Sequence, residues 1–381
     1  MLTHNLGGGT ERHIQELAER LELAGTPVLF CRPDLKNPDA IHISDPHAPE
    51  TLSMGALLTS DSPALFLARL RTLGVAHVHI HNLVGYPTSM TRYLAAALVG
   101  SLTTYDVTVH DYQHWCPRIT LVGITGQYCG EPDLDSCQRC VNHLGSPVGA
   151  NSVREWRDGH EQLLRGARMV FTPSNDAAQR LARQLPGLAV QVRPHEVITI
   201  APDVRTPRSA SKAIRVGVIG AISAGKGREV LARLATYAAK NAERVTLVVI
   251  GTISKQAALT SLGNVRVTGR YDESALDEIL VREQLDVIFF PAVWPETYSY
   301  TLTAALKAGL PIVAFDLGAI PERLRSHGVG TILSLDLAWD PKALAGHLSS
   351  AAQGERFANA SSHTLAYPNI LADYYGLSPL I

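Results

Sequence analysis

The sequence predicts an α/β protein made of two doubly wound halves. Short β-branched runs alternate with longer amphipathic stretches along the chain, which is typical of parallel strands joined by helices. A segment of prolines and small polar residues without hydrophobic periodicity, PDVRTPRSASK, interrupts this pattern near the middle. The 381 residues also exceed the roughly 250–300 at which single cores stop growing. We therefore expect domains at 1–203 and 213–365, joined by a linker at 204–212.

The first half begins with a glycine turn followed by an amphipathic helix, Glu11–Ala24, whose apolar residues recur at helical spacing. A second helix, Pro63–Leu73, has Ser62 as its N-cap and a proline at its first position. Only MLTHN is available for a strand before the glycine turn, so the first strand is short or the chain is a piece of a longer product. The other predicted strands are Pro27–Cys31, Val75–His79, Thr103–Val109, Met169–Thr172 and Val197–Ile200.

The second half repeats the alternation from Ile214 onward. Its predicted helices are Arg228–Asn241, Ser274–Glu283 and Ser299–Ala308. Its predicted strands are Arg215–Ile219, Thr246–Ile250, Val265–Thr268, Val287–Phe290, Pro311–Phe315 and Gly330–Leu333. Residues 366–381 are expected to form a C-terminal helix that returns to the first domain.

Composition excludes several classes of protein. The 46% hydrophobic content excludes a disordered chain, and 34 Lys and Arg against 35 Asp and Glu give no basic field that would attract nucleic acid. No apolar run approaches the ~18–20 residues of a membrane span, and the N-terminus does not resemble a secretory signal. The expected location is therefore the cytoplasm, with peripheral association at the inner membrane face or with a transferase complex as alternatives.

Two glycine-rich turns follow predicted strands. In the first, Gly8 and Gly9 precede a helix whose free N–H groups could face a ligand, although such a turn can also serve packing alone. In the second, Lys226 lies between Gly225 and Gly227, where its ammonium could reach a phosphate or simply remain solvated. Neither turn is a GxGxxG or P-loop motif, so a nicotinamide dehydrogenase or a P-loop kinase is poorly supported.

The stretch after the apolar strand VIFFP gives the lysine turn a context. It reads WPETYSYTL, with Glu296 in the loop before a predicted helix, and another turn begins at Gly318. Because the carboxyl ends of parallel strands meet at one edge of a sheet, the three turns should open together. We expect that edge to face a cleft between the halves.

These motifs resemble the retaining glycosyltransferases of family 4, of two-Rossmann GT-B architecture. The resemblance rests on GGGTERH, GKG and PETYSYTLTAALKAGLPIVAFDLGAIPE, together with FTPSNDAAQRL and LAYPNILADYYGL. It covers essentially the whole chain, and 291–322 is its most specific part. More narrowly, the chain is similar to transferases of bacterial O-antigen and capsule assembly. The resemblance thus implies a nucleotide-sugar donor on the second domain and a glycan or lipid-linked oligosaccharide acceptor on the first.

The resemblance also implies roles for individual residues. Lys226 matches the lysine that contacts the diphosphate, and Glu296 matches the first carboxylate of an E-x7-E motif that holds sugar hydroxyls. His110 matches a histidine that reaches the donor sugar, whereas His81 and His13 are weaker acceptor-side matches. The implied donor contacts are Gly225, Lys226 and Gly227, the nucleobase neighbours Arg270 and Tyr271, Glu296, and the phosphate-binding segment Thr297, Tyr298, Ser299, Tyr300 and Thr301.

Two positions depart from the family pattern. Ala304 replaces the second carboxylate of E-x7-E, and Ala221 stands where a basic residue is frequent. The carboxylate usually holds ribose hydroxyls, and a buried pair of charged hydrogen bonds contributes roughly 2–5 kcal/mol. Donor binding should therefore be weaker by a decade or more. A catalytically silent GT-B module that binds glycan or a partner transferase is the alternative function.

The implied chemistry needs no divalent metal ion. Negative charge grows on the leaving diphosphate as the sugar becomes oxocarbenium-like, and Lys226 with a helix N-terminus could stabilise that charge. The chain has no Asp-x-Asp motif in a suitable loop.

Cysteines cluster in a predicted insertion at 112–145. Their spacing, C-x12-C-x7-C-x2-C, fits a closed four-thiolate structural zinc site formed by Cys116, Cys129, Cys137 and Cys140. Two labile disulfides or free thiols are the alternatives. The segment also resembles one found in the same group of polysaccharide transferases. Cys31 is expected to be a small buried hydrophobe.

Overall fold

The computed structural model describes residues 1–4, 6–34, 36–37, 40–45, 48–55, 63–200, 204–205, 213–354, 356–357, 360–364 and 367–377. Ser62 and most of the predicted linker lie outside the described residues. The chain divides into two compact units. Unit 1 comprises Met1–Ile124, Gly130–His195 and Leu365–Ile381, and unit 2 comprises Thr125–Cys129 and Glu196–Thr364.

The sheet of unit 1 combines a parallel and an antiparallel part. Strands β4 (His77–Ile80), β5 (Thr104–Thr108), β6 (Met169–Thr172) and β7 (Gln191–Val192) are parallel and adjacent in that order. Strands β1 (Phe30–Pro33), β2 (Ala40–Asp45) and β3 (Ala48–Gly55) form an antiparallel group. Leu2 makes parallel bridges to both Cys31 and Ile80. The predicted first strand is thus reduced to a bridge that joins the two parts.

Helices of unit 1 connect these strands. They are α1 (Gly8–Leu23), α2 (Pro63–Thr72), α3 (Met90–Leu98), α4 (Leu134–Leu144), α5 (Val153–Gly166) and α6 (Asn175–Gln184). The C-terminal residues form one π-helical turn, Ile370–Tyr374, rather than the predicted longer helix. Ile370, Tyr374 and Tyr375 pack with buried residues of α1 in a common apolar cluster.

Unit 2 is built on a six-stranded parallel sheet. Its strands are β10 (Ile214–Ile222), β11 (Val245–Ile253), β12 (Val265–Val267), β13 (Val287–Phe290), β14 (Ile312–Phe315) and β15 (Thr331–Leu333), in the order β12-β11-β10-β13-β14-β15. The register pairs Ile214 with Val245 and Ile222 with Ile253. Two apolar clusters of buried residues contain alternate side chains of these strands, so the sheet is covered on both faces.

The helices of unit 2 complete a Rossmann-like arrangement. They are α7 (Arg228–Lys240), α8 (Gln256–Thr260), α9 (Leu276–Arg282), α10 (Tyr300–Ala308), α11 (Ala319–His327) and α12 (Pro341–Ala352), with 3-10 turns at Glu273–Ala275 and Leu335–Trp339. Antiparallel pairs of short strands join β8 (Glu196–Ile200) to β17 (Ala360–Thr364) and β9 (Val204–Arg205) to β16 (Arg356–Phe357). The predicted α/β class with two doubly wound halves is confirmed.

Several element bounds differ from those predicted, for local reasons. Helix α1 begins at Gly8 rather than Glu11, because the glycine turn itself forms its first turn. Strands β10 and β11 continue through Gly220 and Gly251, where a Cβ on Gly251 would lie 2.2 Å from the Gly220 carbonyl oxygen. Strand β8 belongs to unit 2 rather than to the predicted first domain, because its partner is β17.

No helix in the described part of the chain combines the length and the apolar character needed to cross a bilayer.

Candidate functional site

The strand order of unit 2 creates a ligand-binding position at one edge of its sheet. Chain order runs outward from β10 through β11 to β12, then resumes on the other side with β13, β14 and β15. In sheets of this type the crevice at the carboxyl ends of the strands, where the order reverses, is where ligands bind. In unit 2 this crevice is bordered by the segments that follow β10 and β13.

After β10, the lysine turn packs tightly against the segment that follows β13. Gly227 has φ 89°, and a Cβ there would lie 2.0 Å from the carbonyl oxygen of Pro291, so the position requires glycine. The backbone N–H of Val293 donates to the carbonyl of Gly225 at 2.9 Å. These contacts fix the backbone that carries Lys226.

Lys226 and Glu296, predicted separately from motifs far apart in the chain, meet at this edge. Lys226 Nζ lies 3.4 Å from Glu296 Oε1, with 35% of the lysine side chain and 12% of the glutamate side chain exposed. A half-exposed ammonium can bind a phosphate oxygen, while the carboxylate can accept hydrogen bonds from hydroxyls. The pair thus offers both donors and acceptors to a phosphorylated polyhydroxyl ligand.

Helix α10 begins at Tyr300, shortly after Glu296 in the sequence. Its N-cap, Ser299, has φ 78°, a left-handed conformation that is rare for serine, and makes no side-chain cap hydrogen bond within the described helix. The Ser299 hydroxyl instead lies 3.1 Å from the Thr301 hydroxyl. The N-terminus of a helix is a position where backbone N–H groups and the helix dipole favour an anion.

Arg323 and Glu196 hold the segment before α10 in this strained conformation. Arg323 donates to the Ser299 carbonyl at 2.7 Å and to the Thr303 hydroxyl at 2.8 Å, and its guanidinium lies 4.2 Å from the centroid of the Tyr298 ring. The buried Glu196 carboxylate accepts hydrogen bonds from the Thr303 hydroxyl at 2.6 Å and the Tyr298 hydroxyl at 3.2 Å. Burial, opposed by the nearby Arg323, raises the pKa of Tyr298 above its usual range.

The turn after β14 supports the loop that contains Glu296. Glu296 forms a parallel bridge with Gly318, and the N–H of Ala319 donates to the Glu296 carbonyl at 2.8 Å. Gly318 has φ 80°, and a Cβ there would lie 2.7 Å from the Glu296 nitrogen. The expected common opening of the lysine, Glu296 and Gly318 turns is what the structure shows.

Other predicted donor residues occupy less decisive positions. Arg270 is exposed after β12, and the half-buried Tyr271 packs against one of the apolar clusters. Ala304 is 9% exposed and belongs to that same cluster, so apolar neighbours surround the position where a carboxylate was expected. Ala221 lies exposed in β10.

In unit 1, the predicted histidines converge with others that the sequence did not single out. His81 follows β4, His110 follows β5, and His13 lies on α1, yet all three are buried and their ring nitrogens lie within 4.8 Å of one another. His81 Nδ1 and His110 Nε2 are 3.0 Å apart, and His195 stacks on His13 with ring centroids 3.8 Å apart. Gly8 and Gly9 are exposed in the first turn of α1.

Burial sets the protonation of this histidine group. Desolvation lowers the pKa of His13 to about 3, and it lowers the pKa of His81 and of His110 well below the usual value. The neighbouring Asp111 has its pKa raised to about 6 by burial, although the Gln113 N–H opposes the shift. The imidazoles are therefore neutral near pH 7.

The predicted four-thiolate zinc site is not supported, and the four cysteines are free thiols, one of the predicted alternatives. Among the described residues, the convergent group of potential metal ligands is the His13, His81 and His110 set, and no three of the cysteines make such a group. Cys137 and Cys140 share helix α4, but the Cys137 thiol accepts a hydrogen bond from Arg157 at 3.2 Å. Cys116 is held in a turn by its N–H bond to the Tyr112 carbonyl. The spacing of cysteines alone could not reveal the contact between Arg157 and the Cys137 thiol.

The sequence of unit 2 matches a known family. Residues 213–353 match the model described as glycosyl transferases group 1. Most of unit 2 is therefore similar to the glycosyl transferases of group 1. The match includes Lys226, Glu296 and Arg323, but it covers less than half of the chain. No curated protein matches the chain in sequence.

Solved structures show that the wider fold is of the GT-B type. Sucrose-phosphate synthase from Thermosynechococcus elongatus is similar at 14% identity and TM-score 0.55, covering 92% of this chain and 89% of that one. The lipopolysaccharide outer core galactosyltransferase WaaB has 15% identity and TM-score 0.55 over the same shares. HepE of Anabaena, solved with UDP and glucose, has 14% identity and TM-score 0.50, covering 92% and 93%. At these identities, the likeness concerns the fold alone.

Arg323, Glu196 and His195 were not predicted as functional residues. Arg323 lies on α11, and Glu196 precedes the predicted strand at 197–200; neither belongs to a recognisable motif. The one available signal for Glu196 was an acidic residue beside an apolar strand, which is ambiguous in a single sequence.

Proposed function

We propose that the protein transfers a sugar, with retention of configuration, from a nucleotide-sugar donor to a growing bacterial surface glycan. The observation that carries the proposal is the meeting of Lys226 and Glu296 at 3.4 Å, where the strand order of the glycosyltransferase domain reverses. Rossmann-like sheets bind nucleotides at this position. The proposal includes membership of glycosyltransferase family 4 and a role in O-antigen or capsule assembly.

The residues of unit 2 have complementary roles in the proposed reaction. As the bond to the diphosphate breaks, negative charge grows on the leaving oxygen, and Lys226 with the backbone N–H groups at the start of α10 stabilises it. Glu296 accepts hydrogen bonds from hydroxyls of the transferred sugar, and we assign His110 of unit 1 a contact to that sugar. No protein nucleophile is assigned, because a retaining transfer can proceed by attack on the face that the leaving phosphate occupies.

We assign the acceptor, a glycan or lipid-linked oligosaccharide, to unit 1, with Gly8, Gly9, His13 and His81 on its side of the reaction. A cytoplasmic location, with association at the inner membrane face, would give access to such an acceptor. The lipopolysaccharide substrate class named for the fold neighbour WaaB agrees with this assignment.

Nucleotide binding and turnover test the proposal directly. Calorimetry with UDP, GDP and dTDP should show binding of at least one nucleotide, and the Lys226→Ala variant should bind it about 10–100-fold more weakly, since a charged hydrogen bond contributes roughly 1.5–3 kcal/mol. Donor hydrolysis with the matching sugar nucleotide should fall in Glu296→Gln. NMR of the released or transferred sugar then reports whether the anomeric configuration is kept.

A silent binding module is the second candidate, because Ala304 leaves no carboxylate at the expected ribose position. It predicts that none of the nucleotides binds, while glycan fragments do. Nucleotide binding without any sugar release from a full donor panel would also favour this second candidate over the first.

A further inference from the structure

The buried histidine group of unit 1 has features that hydrogen bonding alone does not explain. His79, a neighbour in β4, uses both ring nitrogens: Nδ1 lies 2.9 Å from the Tyr375 hydroxyl and Nε2 lies 2.8 Å from the Thr108 hydroxyl. It is therefore an ordinary structural histidine. His13 and His81 differ, because His13 Nδ1 and His81 Nε2 have no hydrogen-bond partner among the described residues.

The two unpartnered ring nitrogens, on His13 and His81, are fully buried. His13 and His81 are both 0% exposed, so bulk water does not reach their rings. A buried polar atom without a partner is explained by strain, by a catalytic role, or by a water or an ion. Two such atoms occur here on rings that, with His110, have nitrogens within 4.8 Å of one another.

We propose that His13, His81 and His110 bind a divalent transition-metal ion of the Zn²⁺ class in unit 1. Imidazole nitrogen is a preferred ligand of Zn²⁺, Ni²⁺ and Cu²⁺, and three protein ligands leave a fourth position open. This site is separate from the cysteines. It uses the same three histidines that we place on the sugar and acceptor side of the proposed reaction, so a bound ion would take the place of their direct contacts to those groups.

The geometry requires only small adjustments to bind such an ion. At a metal–nitrogen distance of about 2.0–2.1 Å, tetrahedral ligands lie about 3.3 Å from one another. One nitrogen of each ring lies within 4.8 Å of the other two. The 3.0 Å contact between His81 Nδ1 and His110 Nε2 is a hydrogen bond that metal binding would replace, whereas His81 Nε2 and His13 Nδ1 have no such bond to give up. Rotations of the rings within their side-chain minima can supply differences of this size.

The ligands come from three separately supported elements, which favours a preformed site. His13 lies on α1 and stacks against His195, while His81 and His110 follow the adjacent strands β4 and β5. His13 Nε2 lies 3.5 Å from the Tyr374 hydroxyl, so the second nitrogen of this ring has a partner that can orient it.

Metal binding by the full chain, purified without a histidine tag and stripped with chelator, tests the proposal. Titration with Zn²⁺ and with Co²⁺ should reach one equivalent, and His13→Ala and His81→Ala should each weaken binding at least about 100-fold. His143→Ala, at an exposed position on α4, is the matched control and should bind like the wild type. Absence of stoichiometric binding by the wild type, or unchanged binding in both cluster variants, overturns the site.

Because the chain also contains cysteines, the ligand type must be measured on the wild type itself. X-ray absorption of the zinc-loaded protein should show nitrogen at about 2.0–2.1 Å and no sulfur at about 2.3 Å. A Cys137→Ser/Cys140→Ser double variant should retain the ion. Sulfur ligation would overturn the proposal even if a cluster variant failed to fold, and neither result depends on transferase activity.

Discussion

Replacing Arg323 by alanine should weaken nucleotide binding, although Arg323 is not one of the residues to which we assign a contact with the donor. Arg323 holds the carbonyl of Ser299 and the hydroxyl of Thr303, while its guanidinium covers the Tyr298 ring. These contacts keep Ser299 at φ 78°, a conformation that costs about 1–3 kcal/mol for a residue other than glycine. Without them, the segment before α10 should relax, and its N–H groups should no longer point together.

The magnitude follows from the two short hydrogen bonds. A hydrogen bond to a charged group contributes roughly 1.5–3 kcal/mol when buried, and Arg323 is half-buried, so solvent compensates part of the loss. We therefore expect the loss of Arg323 to cost about 2 kcal/mol, which the nucleotide must supply when it orders the segment before α10. That cost corresponds to about 30-fold weaker nucleotide binding. Arg323→Lys keeps the charge but not the forked geometry of the guanidinium. Its nucleotide affinity should lie between those of the wild type and Arg323→Ala.

Calorimetric titration of the preferred nucleoside diphosphate is the assay, with circular dichroism to verify folding. Arg325→Ala is the matched control, because Arg325 lies on the same helix with 54% of its side chain exposed and pairs with Asp316 on the surface. It should bind within about twofold of the wild type. Wild-type affinity in Arg323→Ala, or an equal loss in Arg325→Ala, would refute the positioning role.

Three further perturbations test other parts of the structure. Gly227→Ala should abolish nucleotide binding or folding in calorimetry and thermal melts, because the new Cβ would lie 2.0 Å from the Pro291 carbonyl oxygen; a variant that melts and binds like the wild type contradicts that packing. Ala304→Glu should lower the unfolding free energy by at least about 2 kcal/mol, since its carboxylate would enter an apolar cluster, and tighter donor binding at unchanged stability would contradict this. Burial lowers the pKa of His114 to about 4, so the folded state favours the neutral form. The contribution of His114 to the free energy of unfolding is complete above pH 6.5 and should fall by up to about 3 kcal/mol as the pH drops to 4. In urea denaturation across this range, His114→Gln should lose the share of the slope that His114 contributes, while the other buried histidines keep theirs. A slope equal to that of the wild type would refute the contribution of His114.

Much of the fold and part of the site follow from local patterns. Alternation of β-branched runs with amphipathic stretches indicated the parallel strands of unit 2, and Val287–Phe290 was predicted to the residue because all four side chains are apolar and buried. Lys226 and Glu296 could be singled out because glycine turns and loop carboxylates after strands are local signals. Their meeting at 3.4 Å follows from the parallel order of strands β10 and β13.

Contacts between distant parts of the chain escaped prediction. The cysteine spacing suggested a four-thiolate zinc site, yet the Cys137 thiol accepts a hydrogen bond from Arg157, a contact that spacing does not encode. Arg323 and Glu196 act through side chains that reach Tyr298 and Thr303 from another helix and strand.

The sequence by itself determined the α/β class, the two halves and the two glycine turns, because periodicity and backbone freedom are properties of neighbouring residues. Only the tertiary structure decided that His13, His81 and His110 share one buried group and that a buried carboxylate and an arginine brace the start of α10. Such convergence depends on strand order and side-chain direction, which arise when separate segments pack around a common core.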